Sequence, residues 1–359
     1  MIGAACPPDA AMERQVAQNA HFRAPVTAAG CSRVEIHTGP VNHDVIVIGG
    51  SAGSLDVLMG LVAGLPADLP ASIFVAIHTQ PDQKSVLPEL LNNRGRLSAR
   101  HPEHNERIVP ARIYVAPPDN HLLVRHGSME VVRGPKENNH RPAVDALFRT
   151  ASTAYGSRVI GVVLSGYLDC GTAGMMSIKA RGGLSVVQAP ETAKAADMPS
   201  SVIRKVQIDH VATPPELADL LTRLAATPAA SEDLPGKFVR QLEGTEPGAP
   251  AELACPLCQG VLTEARTEVF QHFRCHVGHT FSLEGLVQQQ SEEMERALWA
   301  AVRALEESAA LSSRLSASGP GELRNRFAEK ANTQLREAEF IRHMLLHGTL
   351  LSRKDASKI

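Results

Sequence analysis

From Asp44 to Ala226 the chain alternates short, wholly apolar runs with longer amphipathic ones, and this pattern limits the fold most. VIVIGG (45–50), SIFVAIH (72–78), VIGVVLSG (159–166) and LSVVQA (184–189) are uniformly apolar and short. They read as strands buried on both faces. Between them, SLDVLMGLVAGL sets Leu55, Leu58, Met59 and Val62 on one helical face. VLPELLNNR, PAVDALFRTASTAYG, AGMMSIKARGG and PPELADLLTRLAA also read as helices, RIYVAP as a strand, and HLLVRHG with SMEVVRG as a hairpin. The alternation predicts an α/β fold with a doubly wound, mostly parallel sheet and helices on both faces. Such sheets bind ligands beyond the carboxyl ends of their strands. Ser51, His78 and the Gly166–Gly171 loop each follow an apolar strand and are therefore expected at one edge.

Composition removes other classes. A net charge of −2 gives no global basic field, and 4% aromatic residues disfavour a base-stacking surface, so no nucleic-acid partner is expected. No apolar run approaches the ~18 residues of a membrane span, and direct membrane insertion is not expected. The first residues, MIGAACPPDAAMERQ, lack the basic start and apolar core of a signal peptide. Of the 6 cysteines, Cys255, Cys258 and Cys275 cluster, which suits metal binding in a reducing, cytoplasmic setting.

Residues 1–43 show no sustained period and are expected to be disordered; residues 44–226 form the α/β domain; 227–250, rich in Pro, Gly and charge, read as a linker. Residues 251–283 read as a zinc-ribbon-like module. In 284–351, Met294, Leu298, Val302, Leu305 and Ala309 recur at helical spacing. After SASGPGE, so do Leu323, Phe327, Ala331, Leu335, Ala338 and Leu345, which predicts a C-terminal α-helical hairpin. Residues 352–359 read as a frayed tail.

The stretch DVIVIGGSAGS admits three roles. As a phosphate cradle it lacks the Lys-Ser/Thr of a P-loop and contains no GxGxxG. Ser51 could simply cap the following helix. As a nucleophile, it would sit on a sharp turn backed by Gly50 and Gly53, with the Ala52 N–H facing a developing oxyanion. His78, ending a neighbouring strand, then supplies a base, and Asp169, just after a third strand, an orienting acid.

In CPLCQG…FRCHVGH, Cys255, Cys258, Cys275 and His279 give a spacing suited to a closed tetrahedral zinc site; His276, adjacent to Cys275, is disfavoured because neighbouring side chains diverge. Four protein ligands leave no open position. The expected zinc is structural, and no cofactor is expected for catalysis.

VIVIGGSAGSLDVL, AIHTQP, RIYVAPPDNHLLV, HRPAVDALF and LSGYLDCGTAGM, in that order, resemble the catalytic domain of the chemotaxis protein-glutamate methylesterases (CheB-type). The resemblance implies hydrolysis of γ-glutamyl methyl esters, and deamidation of some glutamines, on the cytoplasmic helices of methylated chemoreceptors. A receptor methyltransferase is a further candidate partner, under a non-catalytic alternative. The nucleophile falls at Ser51 and the base at His78, with Tyr167 and Cys170 beside Ala52 in the oxyanion and substrate region. Two departures stand out. The residues before the first strand are too few for the receiver domain of familiar members. The family's triad aspartate aligns with Cys170, which leaves Asp169, one residue earlier, as the candidate acid. A weakened or inactive signalling module that binds receptor helices or a methyltransferase is the alternative. Asn139, His140, Arg141 and Asp145 are candidates for the cleft or for capping and ion pairing, and Met198 and Pro199 for shaping a nearby loop.

Overall fold

The computed structural model describes residues 41–230, 236–318 and 320–347. The disordered segment expected for 1–43 falls, but for its last residues, outside the described residues, and so does the tail 352–359.

Strands β1 (Val45–Gly50), β2 (Ser72–Ile77), β3 (Ser98–Arg100), β5 (Arg112–Val115), β8 (Val159–Val163), β9 (Leu184–Gln188) and β10 (His210–Ala212) form a 7-stranded sheet in the order β10-β9-β8-β1-β2-β5-β3. All neighbours run parallel. β4 (Glu106–Arg107), β6 (His121–Arg125) and β7 (Ser128–Val132) make a small antiparallel sheet, which contains the expected hairpin.

Successive strand residues point to opposite faces, and both faces are covered. On one face Ile46, Ile48, Ile73, Val75, Ile113 and Val162 meet α1 (Ser54–Gly64), α2 (Leu87–Arg94) and α6 (Leu217–Ala225) through Leu58, Leu61, Leu91 and Leu221. On the other, Val45, Val47, Phe74, Tyr114 and Val163 meet α3 (Val144–Tyr155), α4 (Thr172–Lys179) and α5 (Asp197–Lys205) through Leu147, Phe148, Met175, Ile178 and Val202. Truncating a fully buried residue such as Leu58 or Leu61 to Ala costs about 2–5 kcal/mol. The fold is the predicted doubly wound α/β sheet.

Chain order fixes where a site can form. From β1 the chain builds β2, β3 and β5 on one side, then crosses back to place β8 on the other side of β1. The loops after β1 and β8 therefore part at their carboxyl ends, the crevice where such sheets bind ligands.

Beyond the sheet, α7 (Lys237–Glu243) lies inside the stretch read as linker. Its Leu242 packs with Phe270 and with Ala173 of α4, and Glu243 pairs with Arg181 in a buried ion pair. β11 (Ala249–Ala254), β12 (Val261–Arg266), β13 (Gln271–Cys275) and β14 (Thr280–Ser282) form a 4-stranded antiparallel sheet. Helices α8 (Leu283–Ser318) and α9 (Gly321–His347) make the hairpin, with Val302, Ala309, Ala331 and Ala338 buried.

Candidate active site

Ser51 is the first residue of a tight turn between β1 and α1. Gly53 has φ 78° and ψ 1°, and the Ser54 N–H closes the turn on the Ser51 carbonyl at 3.1 Å. These are the features of a type II turn, whose third residue needs the positive φ that glycine adopts without strain. Ser54 Oγ also donates to the Ser51 carbonyl at 2.6 Å. The loop after β8 stakes the turn from the other side. The Ser51 N–H donates to the Ser165 carbonyl at 2.9 Å, and buried Ser165 Oγ donates to the Ala52 carbonyl at 2.7 Å. Gly166 completes the packing, since a Cβ there would lie 2.8 Å from Ser51 Cβ and collide with the Met198 sulfur. Met198 thus shapes the site by contact. Among the described residues the Ser51 hydroxyl and the Ala52 amide have no hydrogen-bond partner, so both are free to meet a ligand.

His78 follows β2 directly, and its N–H donates to the Gly50 carbonyl at 3.1 Å. The register pairs Gly50 with Ile77, so Ser51 and His78 are the next residues on two adjacent parallel strands. His78 is half-buried as a residue, and both ring nitrogens are buried and without a hydrogen-bond partner among the described residues. Its ring stacks on that of His140, centroids 3.5 Å apart and planes inclined by 12°. Burial, then the charge His140 would carry, hold His78 well below the ordinary histidine range. Burial and then Lys136 bring His140 to about 4. Both imidazoles are neutral at pH 7, the form in which a histidine accepts a proton.

Asp169 departs from its expected role. Its carboxylate accepts from Asn138 Nδ2 at 3.0 Å and Ser282 Oγ at 2.7 Å, and Lys205 Nζ lies 3.5 Å away. None of these partners is His78. The reason is local geometry: Leu168 adopts φ 63°, and the chain turns Asp169 into the interior, 3% exposed, toward the start of α8. Burial, then the neighbouring Glu284, raise its pKa, against the pull of Lys205. Cys170 is buried against Val144 and Met175, and burial pushes its thiol well above the ordinary range. A neutral thiol cannot stabilise an imidazolium as a carboxylate does. Tyr167, 63% exposed, stands at the surface of the same loop.

The other candidates hold structure. Asp145 Oδ1 accepts the Gly171 and Gly174 N–H groups at 2.9 and 2.8 Å and so caps the start of α4. Burial raises its pKa to about 6. Arg141 pairs with Asp119, and Asn139 Nδ2 donates to the Gly285 carbonyl at 3.3 Å. Asn138 and Ser282 escaped sequence reasoning. For Asn138 the signal was available, since an Asn-Asn pair favours the left-handed backbone it adopts, φ 49° and 68°. For Ser282 there was none.

Away from this edge, Cys255, Cys258, Cys275 and His279 bring their ligand atoms within 4.8 Å of one another. The Cys258–Cys275 sulfur separation is 3.7 Å, and His279 Nδ1 lies 3.7 and 3.6 Å from the Cys255 and Cys275 sulfurs. Zinc–ligand bonds of roughly 2.3 Å to sulfur and 2.0 Å to nitrogen require tetrahedral edges of about 3.5–3.8 Å. These three separations fit that geometry. His276 is exposed and outside the cluster.

The family model described as CheB methylesterase matches residues 46–221. A Leptospira interrogans protein named for protein-glutamate methylesterase and protein-glutamine glutaminase activity is 35% identical over 51% of this chain and 96% of its own length. The chain belongs to the CheB methylesterase family. Proteins of the same name from Geobacter metallireducens and Archaeoglobus fulgidus are each 34% identical, over 52% of this chain and 52% and 54% of theirs. The crystal structure of the Thermotoga maritima CheB methylesterase catalytic domain is 32% identical, with a TM-score of 0.49, covering 51% of this chain and all of that one. The CheB match spans the sheet and its helices but neither α7 nor anything after it.

Proposed function

We propose that the chain is a carboxyl-ester hydrolase that removes methyl groups from γ-glutamyl esters on chemoreceptor-type signalling proteins. The observation that carries the reading is Ser51 opening the turn after β1, beside His78 at the end of β2, in a chain of the CheB methylesterase family. Ser51 Oγ attacks the ester carbonyl as His78 takes its proton, and the oxyanion meets the Ala52 N–H. The intermediate collapses and methanol leaves with the proton held on His78. Water, activated by the same imidazole, then frees the glutamate. Deamidation would follow the same path with ammonia leaving. The substrates are methylated cytoplasmic receptor helices, which places the reaction in the cytoplasm.

Asp169 serves the fold and gives His78 no hydrogen bond. The active site is thus a Ser51–His78 pair, and losing the orienting acid from a triad lowers turnover by about 10⁴-fold while leaving measurable catalysis. The neutral Cys170 thiol, at the family's aspartate position, favours a second reading, a receptor- or methyltransferase-binding module with little activity. A fluorophosphonate probe separates the two. A Ser51 adduct on intact-mass analysis, absent in Ser51→Ala, supports the hydrolase; no adduct on the folded chain favours the binding module.

Cys255, Cys258, Cys275 and His279 would hold zinc with no open position, so the metal supplies structure. The small sheet needs it. Its own core is little more than Leu262, Phe273, Phe281 and Leu286 around the cysteines, and cores of this size depend on a metal or disulfide.

A further inference from the structure

Strand β14, which begins one residue after His279, runs on into a clasp around the segment before α3. The Asn138 N–H donates to the Thr280 carbonyl at 2.7 Å, and Asn138 Oδ1 accepts the Ser282 N–H at 3.3 Å. Ser282 Oγ has one proton. Its shorter contact, 2.7 Å to Asp169, takes it ahead of the 3.2 Å contact to Asn138, while Oγ accepts the Gly285 N–H at 3.0 Å. Asn139 Nδ2 reaches the Gly285 carbonyl at 3.3 Å. Two successive asparagines at positive φ cost backbone energy, and such a conformation persists where its surroundings over-determine it. Here the backbones of Glu137 and His140 bond each other and Asn138 Nδ2 reaches Asp169, and the C-terminal module supplies the remaining contacts.

The next residue is His140, stacked on His78 at 3.5 Å. With no hydrogen bond at either nitrogen, the His78 ring has no polar contact to choose its rotation about χ2. The face of His140 makes that choice.

We infer that the Thr280–Gly285 junction is a positioning element for the base: by clasping Asn138 and Asn139 it fixes His140, and His140 fixes the plane of the His78 imidazole. The inference rests on the esterase reading of Ser51 and His78. It assigns the C-terminal module, which the family match leaves out, a part in the chemistry. The charged group that acts on the pair is Lys136, beside His140; Asp169, Lys205 and Glu284 lie at the clasp itself. Lys205 pairs with Glu284 at 2.7 Å, which keeps net charge near the clasp low.

The test compares full-length wild type with Ser282→Ala and Asn139→Gly. Glycine accepts the positive φ at 139, so the second variant loses the clasp bond without backbone strain. Two readouts are taken: NMR titration of the His78 ring, and kcat and KM for methanol release from methylated receptor fragments. A loosened ring is wetter and farther from His140, so its titration midpoint rises. A base held out of line lowers kcat by roughly tenfold or more while KM stays within about twofold. Folded variants with a wild-type His78 midpoint and wild-type kcat would overturn the inference, even with a lowered melting temperature. If wild type releases no methanol but the midpoint still rises in both variants, the esterase reading fails and the positioning of His78 stands.

Discussion

Ser282 donates a 2.7 Å hydrogen bond to Asp169, joining the last strand of the C-terminal sheet to the loop after β8. The bond gives the carboxylate a structural task. Replacing Asp169 by Ala would leave the Asn138 amide and the Ser282 hydroxyl short of an acceptor in a buried seam, while Lys205 keeps Glu284. A loss of about 1–3 kcal/mol in chemical denaturation is expected. Asp169→Asn keeps an acceptor oxygen; its kcat should fall far less than the roughly 10⁴-fold of a lost triad acid.

Cys170→Asp places a carboxylate at the position where the sequence resemblance implies the family's aspartate. Methanol release should rise by roughly tenfold or more, within the about 10⁴-fold that an orienting acid can supply. A new charge in the apolar surroundings of Val144 and Met175 should also destabilise the fold by about 1–3 kcal/mol. Unchanged turnover in the folded variant would show that position 170 does not address His78.

Much of this was legible in the sequence. Ser51 and His78 could be placed at one edge because both follow wholly buried parallel strands, and such strands announce themselves by composition. The Cys255–His279 cluster was legible because its ligands lie in two short motifs. Asp169 misled for a physical reason: a residue after a strand end can face the cleft or the interior. The choice is made by Leu168 at φ 63° and by Ser282, more than a hundred positions away. Helix α7 was hidden because Phe238, Val239 and Leu242 are few and stand among Pro, Gly and acidic residues. The three-residue strands β3 and β10 are too short to carry a period.

Two buried carboxylates should shape stability in acid with opposite signs. Burial would raise Glu137, but Arg149, bonded at 2.6 and 2.7 Å, draws it from 4.5 to about 2. Its contribution, about 3 kcal/mol, is present above pH 4.5 and lost as pH falls toward 2. Burial raises Asp145 from 3.8 to about 6, so its contribution is present below pH 3.8 and lost as pH rises through 6. Denaturation across this range should show Glu137→Gln flattening the low-pH fall and Asp145→Asn removing the decline between pH 4 and 6.

Metal analysis of the purified chain should find one zinc per molecule, lost in Cys258→Ser and in His279→Ala. A strong chelator should lower the melting temperature of wild type and leave that of Cys258→Ser unchanged. Equal sensitivity of both proteins would argue against the site.

Ser51 as the nucleophile of ester hydrolysis is decided by methanol release from receptor cytoplasmic fragments carrying methylated glutamates. Slow, saturable release is expected from zinc-loaded wild type and none above background from Ser51→Ala. Release that persists in Ser51→Ala, or none from folded wild type on fragments that another member of the family cleaves, would contradict it.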